Sequence, residues 1–325
     1  MAFSIPATRA GDGIRPVNMP HDLGQLVDLL KLVFGESLDA DDRQLFGHSG
    51  SNAVNELMVR FNPASSRLAH GFVWQIDGRI IGNATLLSTK MWDRFLVANV
   101  AVHPDFRRRG IARGLMQAIT SSVRSRGGRD ILLQVVKTNQ PAIDLYESLG
   151  YRRIGNLTTW HAPATRLRPI PDGDERLPEI VPLPNRRWRD AYALDVAAVP
   201  ADLNWPEPLL PDAYRRMWWQ RAGDFMNGRQ VETWMAAEGG ALTGVVTIAS
   251  EWGRSHLLSL RVRPDHQRQL ERPLLAKALR RLQYLSRRSA RIDHPEADEM
   301  TGQLLQEANF TVQRTLTHMR LDLRQ

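Results

Sequence analysis

The chain has 325 residues, no cysteine and a formal net charge of +8, with 42% hydrophobic and 24% charged residues. This is the composition of an ordinary globular protein, and the length suits two domains of roughly 100–200 residues each. The missing cysteine excludes disulfides, thiolate metal sites and a cysteine nucleophile.

In chain order, Ile14 to Val17 is a short strand candidate. A helix follows over Asp22 to Phe34, where Leu23, Leu26, Val27, Leu30 and Val33 fall at helical spacing. Phe72–Ile76 and Ile80–Leu87 flank Asp77-Gly78, the mark of a hairpin. Phe95 to Val102 is apolar nearly throughout and is expected to be a central strand. A basic, glycine-containing turn, Arg107 to Ala112, opens a helix to about Arg126 with Leu115, Ile119 and Val123 on one face. Ile131 to Val136 is a further strand. Pro141 suits the first turn of a helix that ends at Leu149, Gly150 suits its left-handed stop, and Tyr151 begins the returning strand. The order is that of an α/β unit with a mixed sheet.

The chain also repeats itself. His103-Pro104-Asp105-Phe106 returns as Arg263-Pro264-Asp265-His266, 160 residues later. The same spacing pairs Trp74 with Trp234 and Trp92 with Trp252. Gly82 matches Gly244 if one hairpin carries a two-residue insertion. Two copies of this length mean a duplicated domain, not a solenoid. The expected division is a first domain over residues 1–162, a Pro-rich linker over 163–178 and a second domain over 179–325.

The strongest chemical signal is the strand, turn and helix from Val97 to Arg126. A helix N-terminus presents unpaired N–H groups and a positive dipole end, and a glycine there lets backbone approach a phosphate. Arg107, Arg108, Arg109 and Arg113 add cationic charge. The pattern points to a pyrophosphate ligand.

Arg107-x-x-Gly110-x-Ala112 resembles the Gln/Arg-x-x-Gly-x-Gly/Ala signature of the GNAT superfamily of N-acetyltransferases. The preceding Val97-Ala-Asn-Val-Ala-Val-His-Pro-Asp-Phe and the following Asn139-Gln-Pro-Ala-Ile-Asp-Leu-Tyr-Glu-Ser-Leu-Gly-Tyr resemble the same family. Their wording is similar to that of bacterial enzymes that acetylate protein N-termini, such as ribosomal-protein alanine acetyltransferases. The resemblance covers most of residues 13–160. It implies two tandem domains of that α/β fold, each a mixed, mostly antiparallel sheet flanked by helices. It also implies acetyl-CoA as acyl donor and a primary amine as acceptor; the nine histidines are scattered, no two at His-x-x-x-His or similar spacing, so no metal site is expected. Backbone of Val100, Ala101 and Val102 would pair with the pantetheine arm. N–H groups from Arg108, Arg109, Gly110, Ile111 and Ala112 would cradle the pyrophosphate. Asn139 would contact the pantetheine or the sulfur, and Tyr146 would protonate the leaving thiolate.

Several family members carry a Glu as general base where this chain has Gln134, which takes no proton. His103 is an alternative base, although a His before Pro at a strand end is also an ordinary surface residue. The acidic stretch Glu36 to Asp42 could attract a cationic amine or could simply cap a helix. The aromatic segment from Trp205 through Tyr214, Trp218 and Trp219 could wall an acceptor pocket or pack a helix.

In the second copy Gly110 maps to Leu270, Ala112 to Arg272, Arg113 to Pro273 and Tyr146 to Leu305, and Glu271 adds a negative charge. The expectation is a retained fold without a cofactor site, standing in for a dimer partner. The protein is then a monomer with an internal pseudo-dimer, or a weak homodimer. A second reading is a CoA-binding regulatory module without turnover. The positive charge is spread over both halves, which argues against nucleic acid. No apolar run reaches the roughly 18 residues of a membrane helix, and the N-terminus lacks a signal-peptide pattern, so a cytoplasmic protein with no membrane partner is expected.

Overall fold

The computed structural model describes residues 12–35, 70–89, 91–173, 178–204, 214–215 and 228–324. The chain forms two compact units, one of Met1–Arg153 with His318–Gln325 and one of Ile154–Thr317.

In the first unit the described elements are β1 (Gly13–Pro16), α1 (Met19–Phe34), β2 (His70–Ile76), β3 (Arg79–Ser88), β4 (Arg94–Val102), α2 (Ile111–Ser125), β5 (Asp130–Val136) and α3 (Gln140–Ser148). The strands lie in the order β1-β2-β3-β4-β5, and the sheet continues into β12 (Thr311–Asp322). From β1 to β5 neighbours are antiparallel except β4 and β5, which are parallel. One face of the sheet packs on α2 through Ile111, Leu115, Met116, Ile119 and Val123, the apolar stripe legible in the sequence. The other face packs on α1 through Leu26, Leu29 and Leu30 against Val73, Ile80 and Ala101. Close approach of α2 depends on Gly82, where a Cβ would lie 2.7 Å from Ile111 Cγ2.

The second unit repeats this plan with β7 (Val181–Pro182), α4 (Trp188–Ala198), β8 (Gln230–Glu238), β9 (Ala241–Ser250), β10 (His256–Val262), α5 (Glu271–Leu282), β11 (Ala290–Pro295) and α6 (Glu299–Glu307). Its strand order is β7-β8-β9-β10-β11, followed by β6 (Arg152–Ala162) and then β12. Leu274, Leu275, Ala278 and Leu279 of α5 pack into its core with Trp160, Trp234 and Ile292. The mixed α/β fold expected from the sequence is present in both units.

The division at residues 163–178 follows the copies of the repeat, but the compact units trade closing strands. From Ile154 onward β6 belongs to the second unit, and from His318 onward β12 belongs to the first. The exchange is symmetric. Thr159 of β6 pairs with Asp293 of β11, and His318 of β12 meets Gln134 of β5. Both residues of the first contact lie 159 positions from their counterparts in the second. At the helix ends that launch these strands, Gly150 has φ +89°, the left-handed stop expected there, and Asn309 has φ +65° at the matching place.

The register of the repeat differs from the sequence alignment. Ile76 pairs with Arg79 across the first hairpin as Glu238 pairs with Ala241 across the second, and both hairpins carry a bulge, at Trp74/Gln75 and Ala236/Ala237. Trp74 therefore corresponds to Ala236, not Trp234, and no insertion separates the two hairpins. The offset shortens later. In the first unit Ala98 to Val102 opposes Thr85 to Gly82 with one extra residue, a bulge. In the second, Ser259 to Val262 opposes Thr247 to Gly244 without one.

Candidate active site

Strands β4 and β5 pair only from Arg94–Asp130 to Val97–Leu133. Beyond that point β4 runs on to Val102 and β5 to Val136, so the strands part and open a cleft. The bulge lies at its mouth. Asn99 has φ +52°, and buried Asn83 pins it by donating Nδ2–H to the Asn99 carbonyl at 2.8 Å. The extra residue shifts the side-chain alternation, so Ala101 joins the core beside α1 while Val100 and Val102 pack on the α2 side. One edge of Ala101 and Val102 pairs with β3. The other edge faces the cleft, where a ligand with its own donors and acceptors could add as a strand.

The chain leaves β4 through a turn at Pro104–Phe106 and reaches α2 through residues of alternating hand. Arg108 has φ +62° and Gly110 φ +80°. Such alternation turns successive N–H groups into one concavity, a nest for an anion. Among the described residues no side chain caps the N-terminus of α2. A Cβ on Gly110 would meet no atom of the described residues within 4 Å. The first-turn N–H groups of Ile111, Ala112 and Arg113 have no intrahelical partner by construction.

The expected cationic residues surround this turn, most of them tied to it. Arg107 donates Nε–H to the Val102 carbonyl at 3.3 Å, Arg109 donates to the Asp105 carbonyl and lies over the Phe106 ring at 5.2 Å, and Arg113 donates to Ser148 Oγ at 2.8 Å. His103 accepts the Asp105 N–H at Nδ1 and packs edge-on against Phe106. That is a local capping role.

Tyr146 lies on the inner face of α3, buried, with its ring 5.9 Å from that of Tyr151. Burial pushes its phenol well above the ordinary tyrosine range, so it stays protonated at neutral pH and can donate a proton. The Tyr151 hydroxyl is fully buried and has no hydrogen-bond partner among the described residues. Asn139 is the N-cap of α3, its Oδ1 accepting the Ala142 N–H at 3.3 Å; the cap uses the oxygen and leaves the amide N–H groups to other contacts.

Gln134 is the first residue of β5 beyond its last pairing with β4, at the floor of the cleft. Its side chain is half-buried, and Nε2 lies 2.8 Å from His318 Nε2. The sequence did not single out His318, because it belongs to the second copy and only the strand exchange brings it here. Asn83 was missed for a similar reason, since nothing local marks a residue that pins a bulge in the next strand.

In the second unit Leu270 occupies the Gly110 position and is buried. Leu305, at the Tyr146 position, is fully buried. Tyr214 donates to Asp195 Oδ2 at 2.7 Å, and Arg261 donates to Asp195 Oδ1 at 2.7 Å, which makes Tyr214 part of an internal polar network. The stretch Glu36 to Asp42 and residues Trp205, Trp218 and Trp219 lie outside the described residues. Among the described residues there is no cluster of three His, Asp or Glu side chains that could hold a metal ion, and no helix is long and apolar enough to cross a membrane.

Residues 36–151 match the acetyltransferase (GNAT) family. The [ribosomal protein bS18]-alanine N-acetyltransferase of Escherichia coli K12 is 39% identical over 119 residues, 31% of this chain and 80% of that protein. The protein of the same name from Salmonella typhimurium is 32% identical over 110 residues, 34% of this chain and 62% of its own length. Among solved structures, a tandem GNAT protein from the clavulanic acid biosynthesis pathway covers 96% of this chain and 98% of its own at 19% identity, with a TM-score of 0.56. A GCN5-related N-acetyltransferase from Sphaerobacter thermophilus covers 96% of each chain at 17% identity and a TM-score of 0.62. These two establish the likeness of the fold over nearly the whole length.

Proposed function

Because the chain belongs to the GNAT family of acetyltransferases, we propose that it transfers an acetyl group from acetyl-CoA to a primary amine by direct attack, using the unit that contains Arg107 to Arg113. The observation that carries this reading is the pairing of two features: strands that part beyond Val97–Leu133, and a helix N-terminus, capped by no described side chain, reached through the left-handed Arg108 and Gly110. An extended thioester arm fits the first, and a pyrophosphate fits the second.

In this reading backbone of Val100, Ala101 and Val102 pairs with the pantetheine arm. N–H groups from Arg108 to Ala112 hold the pyrophosphate, helped by the charge of Arg107, Arg109 and Arg113. Asn139 contacts the arm near the sulfur. The amine lone pair attacks the carbonyl carbon, the carbon–sulfur bond breaks, and the Tyr146 phenol protonates the leaving thiolate. Proximity supplies much of the rate, since both reactants are held rather than met by diffusion.

Gln134 takes no proton, so the acceptor arrives as the free base. At pH 7 an α-amine with pKa near 7.7–8.0 is roughly a tenth neutral, whereas a lysine ε-amine near 10.4 is neutral in about one molecule in 2,500. This supports a peptide N-terminus or a small amine of low pKa as acceptor; two relatives are named for an alanine of a ribosomal protein, and a third for a peptidyl-lysine. The second copy holds no cofactor, and the protein works in the cytoplasm as a monomer or a weak homodimer.

Release of free thiol from acetyl-CoA tests the proposal cleanly, because the protein has no cysteine to add background. Thiol release that depends on an added α-amine supports it. Tight acetyl-CoA binding without release toward any amine would favour a CoA-binding module, the reading that Gln134 in place of a carboxylate also suits.

A further inference from the structure

The acetyl-transfer reading leaves one question: what orients the attacking amine where Gln134 stands in place of a carboxylate on β5. Leu133 and Val135 are buried in the core beside α2, so the alternation of β5 turns Gln134 to the opposite face. Met319 of β12 packs in that same core, and the same alternation turns His318 to Gln134. The imidazole is 1% exposed and held in place by its surroundings, whereas Gln134 is half-buried at the cleft floor.

An amide nitrogen only donates hydrogen bonds. With Gln134 Nε2 facing the ring, it donates and His318 Nε2 accepts. The contact fixes which end of the carboxamide meets the ring and leaves Oε1 directed away from it. We propose that His318 is a positioning residue for the acceptor amine: it holds the Gln134 carboxamide so that Oε1 accepts an N–H of the attacking amine and aims the nitrogen lone pair at the thioester carbon. Gln134 takes no proton in this step. The amine nitrogen forms the new carbon–nitrogen bond, its surplus proton leaves to solvent, and the thiolate is protonated as described above.

The second unit differs at the matching place. There Thr159 donates its hydroxyl to Asp293 at 2.5 Å, and Arg291 pairs with the same carboxylate. That carboxylate is engaged by a hydroxyl and a guanidinium within its own unit. The carboxamide and imidazole pair is particular to the first unit, and it exists because the final strand of the second copy closes that unit's sheet. The second copy thereby contributes a residue to the reaction as well as a fold.

Steady-state kinetics on the full chain test this inference, with acetyl-CoA affinity measured alongside. His318→Leu removes the acceptor and should lower kcat about tenfold or more, with acetyl-CoA affinity unchanged within about twofold, as expected when alignment alone is lost. His318→Gln offers a carboxamide oxygen to the same N–H and should recover most of the lost kcat. Gln134→Met removes the N–H from the other side, without touching β12. It should reproduce the loss, and the double variant His318→Leu/Gln134→Met should be no slower than either single one. Wild-type kcat in His318→Leu, or additive losses in the double variant, would overturn the positioning role. Absence of thiol release by the wild-type protein itself would instead strike the acetyl-transfer reading on which it rests.

Discussion

The carboxylate of Glu271 accepts the backbone N–H of Arg268 at 3.0 Å. Arg268 has φ +67°, matching φ +62° at Arg108 in the first copy. The second copy therefore keeps the left-handed residue at Arg268, loses the one at Leu270, where φ is −101°, and fills the turn with its own anion. Glu271 is buried, and burial pushes its carboxyl above the ordinary glutamate range despite the backbone N–H groups of Arg268, Glu271 and Leu270 that favour the ionised form.

From this it follows that Leu270→Gly does not create a cofactor site. The side chain leaves the position where backbone must approach phosphate, yet the Glu271 carboxylate still sits on the turn. In a Gly110→Glu background, where the first site is blocked, equilibrium dialysis with labelled acetyl-CoA should detect no binding to the Leu270→Gly chain. Recovered binding would mean that the leucine alone silences the second copy.

Tyr146→Phe separates chemistry from binding. The phenol is buried and stays protonated, so its loss removes a proton donor without removing a charge. Turnover should fall about 100-fold or more, the usual range for a positioned acid. Acetyl-CoA affinity should change less than about threefold. An unchanged turnover would assign Tyr146 to core packing beside Tyr151.

Much of the fold was legible in the sequence because its signals are local. The stripe of Leu115, Ile119 and Val123 gave α2, Asp77-Gly78 gave a hairpin, and Pro141 with Gly150 bracketed α3. The glycine turn before α2 was legible for the same reason. What stayed hidden depends on partners distant in the chain. Trp74 and Trp234 look equivalent in the sequence, yet strand pairing sets Trp74 against Ala236, because register is fixed by cross-strand hydrogen bonds and not by residue identity. His318 could not be placed beside Gln134 without knowing that β12 closes the first unit, since a strand carries no mark of which sheet edge it joins.

The two copies allow a matched steric test. A Cβ on Gly82 would lie 2.7 Å from Ile111 Cγ2, and one on Gly244 would lie 2.6 Å from Leu274 Cδ1. Gly82→Ala and Gly244→Ala should each destabilise their unit by about 1–3 kcal/mol, the usual effect of overpacking. Only Gly82→Ala should also weaken acetyl-CoA binding, because Ile111 is the first residue of the helix whose N-terminus forms the nest. Thermal unfolding together with acetyl-CoA titration of both variants checks this.

Asp298 caps α6 and gives the second unit a pH dependence of defined sign. Burial disfavours its charge. The hydrogen bonds from His294 and from the Thr301 hydroxyl and backbone N–H outweigh that effect and hold its carboxyl at about 2. A carboxyl depressed in the folded state stabilises above its ordinary value near 3.8, and the contribution is lost as pH falls toward 2. Asp298→Asn keeps a capping oxygen but loses the charge. It should destabilise by about 1–2 kcal/mol at pH 7, and the difference from wild type should vanish near pH 2. Denaturant titrations across that range would show it.

The central claim is that one acetyl-CoA binds, at the turn around Gly110. Calorimetric titration of acetyl-CoA into the intact chain, with Gly110→Glu alongside, addresses it most directly. The account predicts one site per chain in the wild-type protein and none in the variant, whose side chain would put a carboxylate at the N-terminus of α2. Two sites, or one site that survives the substitution, would contradict it.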